Sequence, residues 1–118
     1  MLLIDLDHKE RLEAFQRMHA EWEKGKCSSF FSCKEYLEYC PLGANKGYGV
    51  EFLCDFLGVP IKNAIAIGDE ENDISMIKNA GVGVAMKNAV QSVKEAADFV
   101  TEHDNNEDGV ADVIEKFS

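Results

Sequence analysis

The feature that most restricts the fold is a short apolar run, Ala64-Ile65-Ala66-Ile67, set between two helical stripes. Such a run is too short for a helix, and its unbroken apolar character suits a strand buried on both faces of a parallel sheet. Upstream, Val50, Leu53, Cys54 and Leu57 recur at i, i+3, i+4 and i+7, and Gly58 followed by Pro60 closes that helix. Downstream, Ile74 and Ile77 begin a second helix that Gly81 ends. Val82 to Met86 repeat the buried-strand pattern, and Val90, Val93 and Ala97 mark another helix. Phe99-Val100-Thr101 reads as a third short strand, and Val110, Val113, Ile114 and Phe117 complete a last helix. Strands alternating with helices of about ten residues predict an α/β fold of βαβ units with right-handed crossovers.

The first third of the chain follows a different pattern. Leu2-Leu3-Ile4 predicts a strand ending near Asp5 or Asp7. Leu12, Phe15, His19 and Trp22 line one face of a helix over residues 9–23, which Gly25 stops. Residues 27–33 and 35–40 are rich in aromatics, Cys and Ser with weak alternation, and both are expected to be strands. Pro41, Gly43 and Asn45 then make residues 41–46 a loop. The expected division is residues 1–40 and 41–118.

Composition excludes several functions. Of 118 residues, 12 are basic and 22 acidic, a formal charge of −10. A basic nucleic-acid footprint is absent, and anionic membranes would repel this surface. No stretch reaches the ~20 apolar residues of a membrane span, and no signal-peptide pattern opens the chain, so a cytoplasmic location is expected. Cys27, Cys33, Cys40 and Cys54 follow no metal-binding spacing and are expected to be buried, unpaired thiols.

The chemistry concentrates in Gly68-Asp69-Glu70-Glu71-Asn72-Asp73, directly after the apolar strand and just before a helix. Ligands of open α/β sheets bind at the carboxyl ends of the strands. Gly68 allows a sharp turn, and Asp69 offers a hard carboxylate oxygen of the kind Mg²⁺ takes. Asn72 and Asp73 lie at a helix N-terminus, where amide donors and the helix dipole favour an anion. The same residues would equally serve as a turn that caps the helix. Lys46, opening the upstream helix with Gly47, can neutralise phosphate oxygens and crowded carboxylates, or stand as an ordinary solvated lysine. Gly81 to Ala89 is a strand and turn whose glycines suit close packing. Glu107-Asp108-Gly109-Val110 needs only to start a helix.

Residues 35–117 resemble the C-terminal part of Cof-type phosphatases of the haloacid dehalogenase superfamily. The resemblance lies in EYCPLGANKG, AIAIGDEENDISMIKNAGVGVAMKNA and ADFVTEHDNNEDGVADVIEKF. It implies a partial Rossmann-like core over 41–118, preceded over 1–40 by the end of an α/β cap domain. It implies that Lys46 is the third-motif lysine, contacting phosphate, and that Asp69 is the fourth-motif Mg²⁺ ligand. It further implies that Asn72 helps to hold the phosphate or the metal shell, and that Asp73 orients Lys46 or the metal waters. Substrates would be small phosphorylated metabolites such as sugar phosphates.

Family members open with a strand bearing Asp-x-Asp followed by Gly and Thr or Val. Here Asp5-Leu6-Asp7 is followed by His8-Lys9, and a helix begins at once. The expectation is therefore a chain without the nucleophile, inactive alone, with Asp5 and Asp7 on the surface of the cap remnant. Two alternatives remain at this point: a compact, capless phosphatase using Asp5, Asp7 and Ser32, or a non-catalytic binding or oligomerising fragment. Loss of the nucleophile strand would leave the strand at 64–67 as an open edge, with part of the Leu12, Phe15 and Trp22 face uncovered. The partner expected is a second copy, or a missing N-terminal half.

Overall fold

A computed structural model describes residues 1–118 as two compact units, Met1–Ala44 and Asn45–Ser118. The first contains β1 (Leu2–Ile4), α1 (Lys9–Glu23), β2 (Cys27–Cys33) and β3 (Tyr36–Pro41). Its sheet runs β1-β3-β2, antiparallel throughout, with Leu3 opposite Leu37 and Phe30 opposite Glu38. Gly25, at φ 73°, lets the chain reverse between α1 and β2.

One side of this sheet receives α1. Leu12, Leu37 and Tyr39 form the buried core, with Leu3, Cys27 and Phe31 packed against it. Part of the α1 face is uncovered: Leu12 is buried, whereas Trp22 at the far end of the stripe is 55% exposed. Leu12 lies one turn from the helix start, where the sheet passes directly beneath. Asp5 has a local structural role: Oδ1 accepts from the amides of Asp7 and His8, at 3.3 and 3.1 Å, and Oδ2 pairs with Arg11. This is the entry turn of α1. Cys27, Cys33 and Cys40 are only half-buried, contrary to expectation, because they sit at the two ends of the edge strand β2 and near the end of β3; Cys54 is buried.

The second unit runs α2 (Lys46–Leu57), β4 (Ile65–Gly68), α3 (Ile74–Asn79), β5 (Val82–Ala85), α4 (Gln91–Ala96), β6 (Phe99–Val100) and α5 (Gly109–Phe117). Short 3₁₀ turns at Ile61–Asn63 and Glu71–Asp73 flank β4. The strands form a parallel sheet, β4-β5-β6, with Ile65 beside Val82 and Gly68 beside Ala85. The expected loop over 41–46 is shorter than foreseen. Pro41 still pairs with Cys27, and Asn45 already caps α2 by accepting from the Tyr48 amide at 2.9 Å. Gly58 ends α2 in the left-handed conformation, its amide donating to Asp55 and Cys54.

One face of the parallel sheet is built from small residues. Ala66 and Ala85 pack with Ile77, Met86, Ala89 and Val93 in a continuous core beneath α3 and α4. On the other face α5 brings Val113 and Phe117 to the cleft lined by Val84 and Phe99. That cover stops short of β4, so Ile65 is 41% exposed. The expectation of a strand buried on both faces therefore holds on one face only. The α2 stripe is corrected likewise: Cys54 is buried, but Leu53 and Leu57 are both exposed. No helix is long and apolar enough to cross a membrane.

This division of faces sets a contrast measurable by urea unfolding. Ile77→Ala, at a site 2% exposed, is expected to cost about 3 kcal/mol. Leu53→Ala should stay within about 0.5 kcal/mol. Equal losses would show that the α2 face is covered in solution.

Candidate active site

β4 delivers the chain to the carboxyl edge of the sheet at Gly68, whose carbonyl accepts from Met86 N at 2.9 Å. The next residues coil at once into the Glu71–Asp73 turn. Glu70 and Asp73 cap it reciprocally, the Glu70 side chain accepting from the Asp73 amide and the Asp73 side chain from the Glu70 amide. Asp73 is thereby folded back under the turn and is 3% exposed. Its Oδ2 accepts from the amides of Asp69 and Glu70, at 2.9 and 3.1 Å. Its Oδ1 accepts from Lys46 Nζ. A Cβ at position 68 would collide with the Asp73 side chain, so only glycine admits this fold-back.

Lys46 is held in place from its own helix. The Gly47 amide donates to Ser75 Oγ at 3.0 Å, and Asn79 Nδ2 donates to Glu51 Oε1 at 2.6 Å, which fastens α2 to α3. The Lys46 side chain remains 49% exposed. An ammonium has three donors, so two stay available after the bond to Asp73. Burial alone would raise the Asp73 pKa. The Lys46 hydrogen bond, the two backbone donors and the Lys46 charge outweigh it, and the carboxyl is held below its ordinary value.

The turn amides at Asp69 and Glu70 do not wait for an external anion, because Asp73 already occupies them. Lys46 keeps donors for an incoming anion.

Asp69 is half-buried just past the strand end, and its Oδ2 accepts from Asn88 Nδ2 at 3.2 Å. Asn72 is half-buried with its Oδ1 enclosed and without a hydrogen-bond partner. An enclosed acceptor without a donor is costly, and a hard cation or a donor on a ligand would relieve it. A carboxylate and an amide oxygen in one turn suit Mg²⁺, whose shell is oxygen throughout. No three His, Cys, Asp or Glu side chains gather as a metal site, here or elsewhere. Asp69 and Asn72 would supply oxygen ligands to such a cation.

Lys46, Asp69, Asn72 and Asp73 thus stand on two adjoining pieces of backbone, the start of α2 and the turn after β4. Lys46 and Asp73 touch directly. Ser75 and Asn88 support them, and neither was picked out by sequence. Asn88 lies in the turn after β5, where Asn is commonplace, and its partner Asp69 is remote in the chain.

Asp73→Asn is expected to cost about 2 kcal/mol at neutral pH, the scale of hydrogen bonds to a charged group. The folded carboxyl titrates below the unfolded one, so its contribution is complete above the unfolded pKa. It is lost as pH falls through the folded value. Urea midpoints at pH 7 and pH 3 should therefore fall further for the unaltered chain than for Asp73→Asn.

The sequence profile of haloacid dehalogenase-like hydrolases matches residues 1–114. The 5-amino-6-(5-phospho-D-ribitylamino)uracil phosphatase YcsE of Bacillus subtilis is 49% identical over 78 residues, 66% of this chain and 31% of that protein. A crystal structure of a haloacid dehalogenase-like hydrolase from Bacteroides thetaiotaomicron superposes with a TM-score of 0.79 at 39% identity, covering 99% of this chain and 43% of that one. A sugar phosphatase of subclass IIB superposes with a TM-score of 0.78 at 28% identity, over 88% of this chain and 40% of that one. The chain spans about a third of the length of the curated phosphatases it matches. From the parallel sheet, the turn that buries Asp73 against Lys46 and these likenesses together, the chain belongs to the haloacid dehalogenase-like hydrolases, of the Cof type.

Proposed function

We propose that this chain carries the cation- and phosphate-binding half of a Mg²⁺-dependent phosphohydrolase acting on small phosphorylated metabolites, sugar phosphates among them. The observation that carries this reading is the Lys46–Asp73 pair, set at the carboxyl end of β4 beside Asp69. Lys46 offers its remaining donors to phosphoryl oxygens, and Asp73 keeps that ammonium aimed. Asp69 holds the cation and Asn72 Oδ1 lies in the same turn. The cation, when bound, withdraws charge from the phosphoryl oxygens. The phosphatase names of the relatives support the substrate class.

The nucleophile is assigned to a carboxylate outside these residues. It would attack phosphorus and release the alcohol, and water would then cleave the aspartyl-phosphate. Residues 1–40 are read as the end of a cap domain. The capless alternative needs the strand before Asp5 in the parallel sheet beside β4. Instead β1 pairs antiparallel with β3, and Asp5 is committed to Arg11 and the α1 entry turn.

Alone with Mg²⁺, the chain is expected to turn over p-nitrophenyl phosphate negligibly. Loss of a covalent nucleophile removes several orders of magnitude in rate. Robust turnover abolished by Asp5→Asn would overturn the assignment. Mg²⁺ binding by calorimetry should be weak, because a single carboxylate makes a poor site. Micromolar affinity surviving Asp69→Ala would remove Asp69 as ligand. β4 pairs only with β5, so its outer edge is open. Sedimentation at micromolar concentration is expected to show a dimer or larger species, and a cooperatively folding monomer would refute assembly through that edge.

A further inference from the structure

Asn88 is exposed, in the turn between β5 and α4, yet its side-chain amide is bonded at both ends. Nδ2 donates to Asp69 Oδ2 at 3.2 Å, and Oδ1 accepts from the Asn105 amide at 3.1 Å. A backbone N–H only donates, so the Asn105 amide fixes which end of the Asn88 group is oxygen. The NH₂ end is then obliged to face Asp69. The turn itself is fastened to the strand end, with Met86 N on the Gly68 carbonyl at 2.9 Å and Val90 N on the Asp69 carbonyl at 3.0 Å. Ala89, between them, is buried.

We propose that Asn88 is a positioning residue for Asp69, holding Oδ2 so that Oδ1 is presented to a divalent cation. The inference rests on the reading of Asp69 as the cation ligand and adds the residue that aims it. A neutral donor suits the task, because it restrains the carboxylate without cancelling its charge. The adjoining cation does not interfere. Lys87 Nζ faces Glu107 Oε2 at 3.8 Å, and the Lys87 amide donates to Thr101 Oγ1 at 2.9 Å. Ligating carboxylates restrained in this way lose roughly 10–100-fold in metal affinity when the outer partner is removed.

The test titrates the ¹⁵N-labelled chain with Mg²⁺ alone and follows amide resonances. In the unaltered chain the Asp69 amide and the Asn88 side-chain NH₂ are expected to shift together. Asn88→Ala should raise the dissociation constant about tenfold, with the melting temperature and the Ile77 and Lys46 resonances unmoved. A purely structural role for Asn88 would shift those resonances or the melting temperature and leave the affinity unchanged, which overturns the proposal. Asn88→Ala titrating like the unaltered chain while Asp69→Ala no longer responds would also overturn it, and would leave Asp69 as ligand. An unaltered response in Asp69→Ala, or none in the unaltered chain at tens of millimolar Mg²⁺, would remove the cation from Asp69 and the proposal with it.

Discussion

The carboxylate of Asp73 is the interaction on which the second unit is organised. A buried charge survives only when its hydrogen bonds are complete. Here one oxygen takes two backbone amides from the turn and the other takes Lys46. Those three donors come from the strand end, the turn and the start of α2. A single anion therefore fixes the relative placement of segments remote in sequence. Lys46 has to be the first residue of α2 and Gly68 has to lack a side chain for the same reason.

α3 is only Ile74–Asn79, too short to persist alone in water. It exists because the sheet beneath it is made of Ala66, Gly83 and Ala85, which let Ile77 come close enough to be buried. The packing of Ile77 thus holds the helix that follows Asp73, and so holds Asp73. Core and site are continuous here: what stabilises one places the other.

Much of this was legible in the sequence, and unevenly so. The strands at 65–68 and 82–85 were readable because unbroken apolar runs of that length have few other uses. The α1 limits were readable from the spacing of Leu12, Phe15, His19 and Trp22 and from Gly25. Burial was less readable. Leu53 and Leu57 lie on a stripe that a pattern assigns to a core, yet both are exposed. Periodicity says that a face favours cover and is silent on which element supplies it. The turn after β4 was legible as chemistry from its composition and position. That Asp73 would serve as its own turn's anion was not, because this depends on a fold-back that only Gly68 and the reciprocal cap reveal. Ser75 and Asn88 were missed because their bonds, to Gly47 and Asp69, span 28 and 19 residues.

The capture of the Asp69 and Glu70 amides by a side chain has a further consequence. Most protected amides in the sheet are locked by backbone carbonyls and open when strands separate. These two are locked by a carboxylate, and they open when Asp73 lets go. The same event frees the Lys46 ammonium. Deuterium uptake at residues 69 and 70 therefore runs as a clock on the loosening of the site, separate from the clock of global unfolding. In a molecule at rest, the rate at which two protons are lost to solvent reports how often the lysine is free to move.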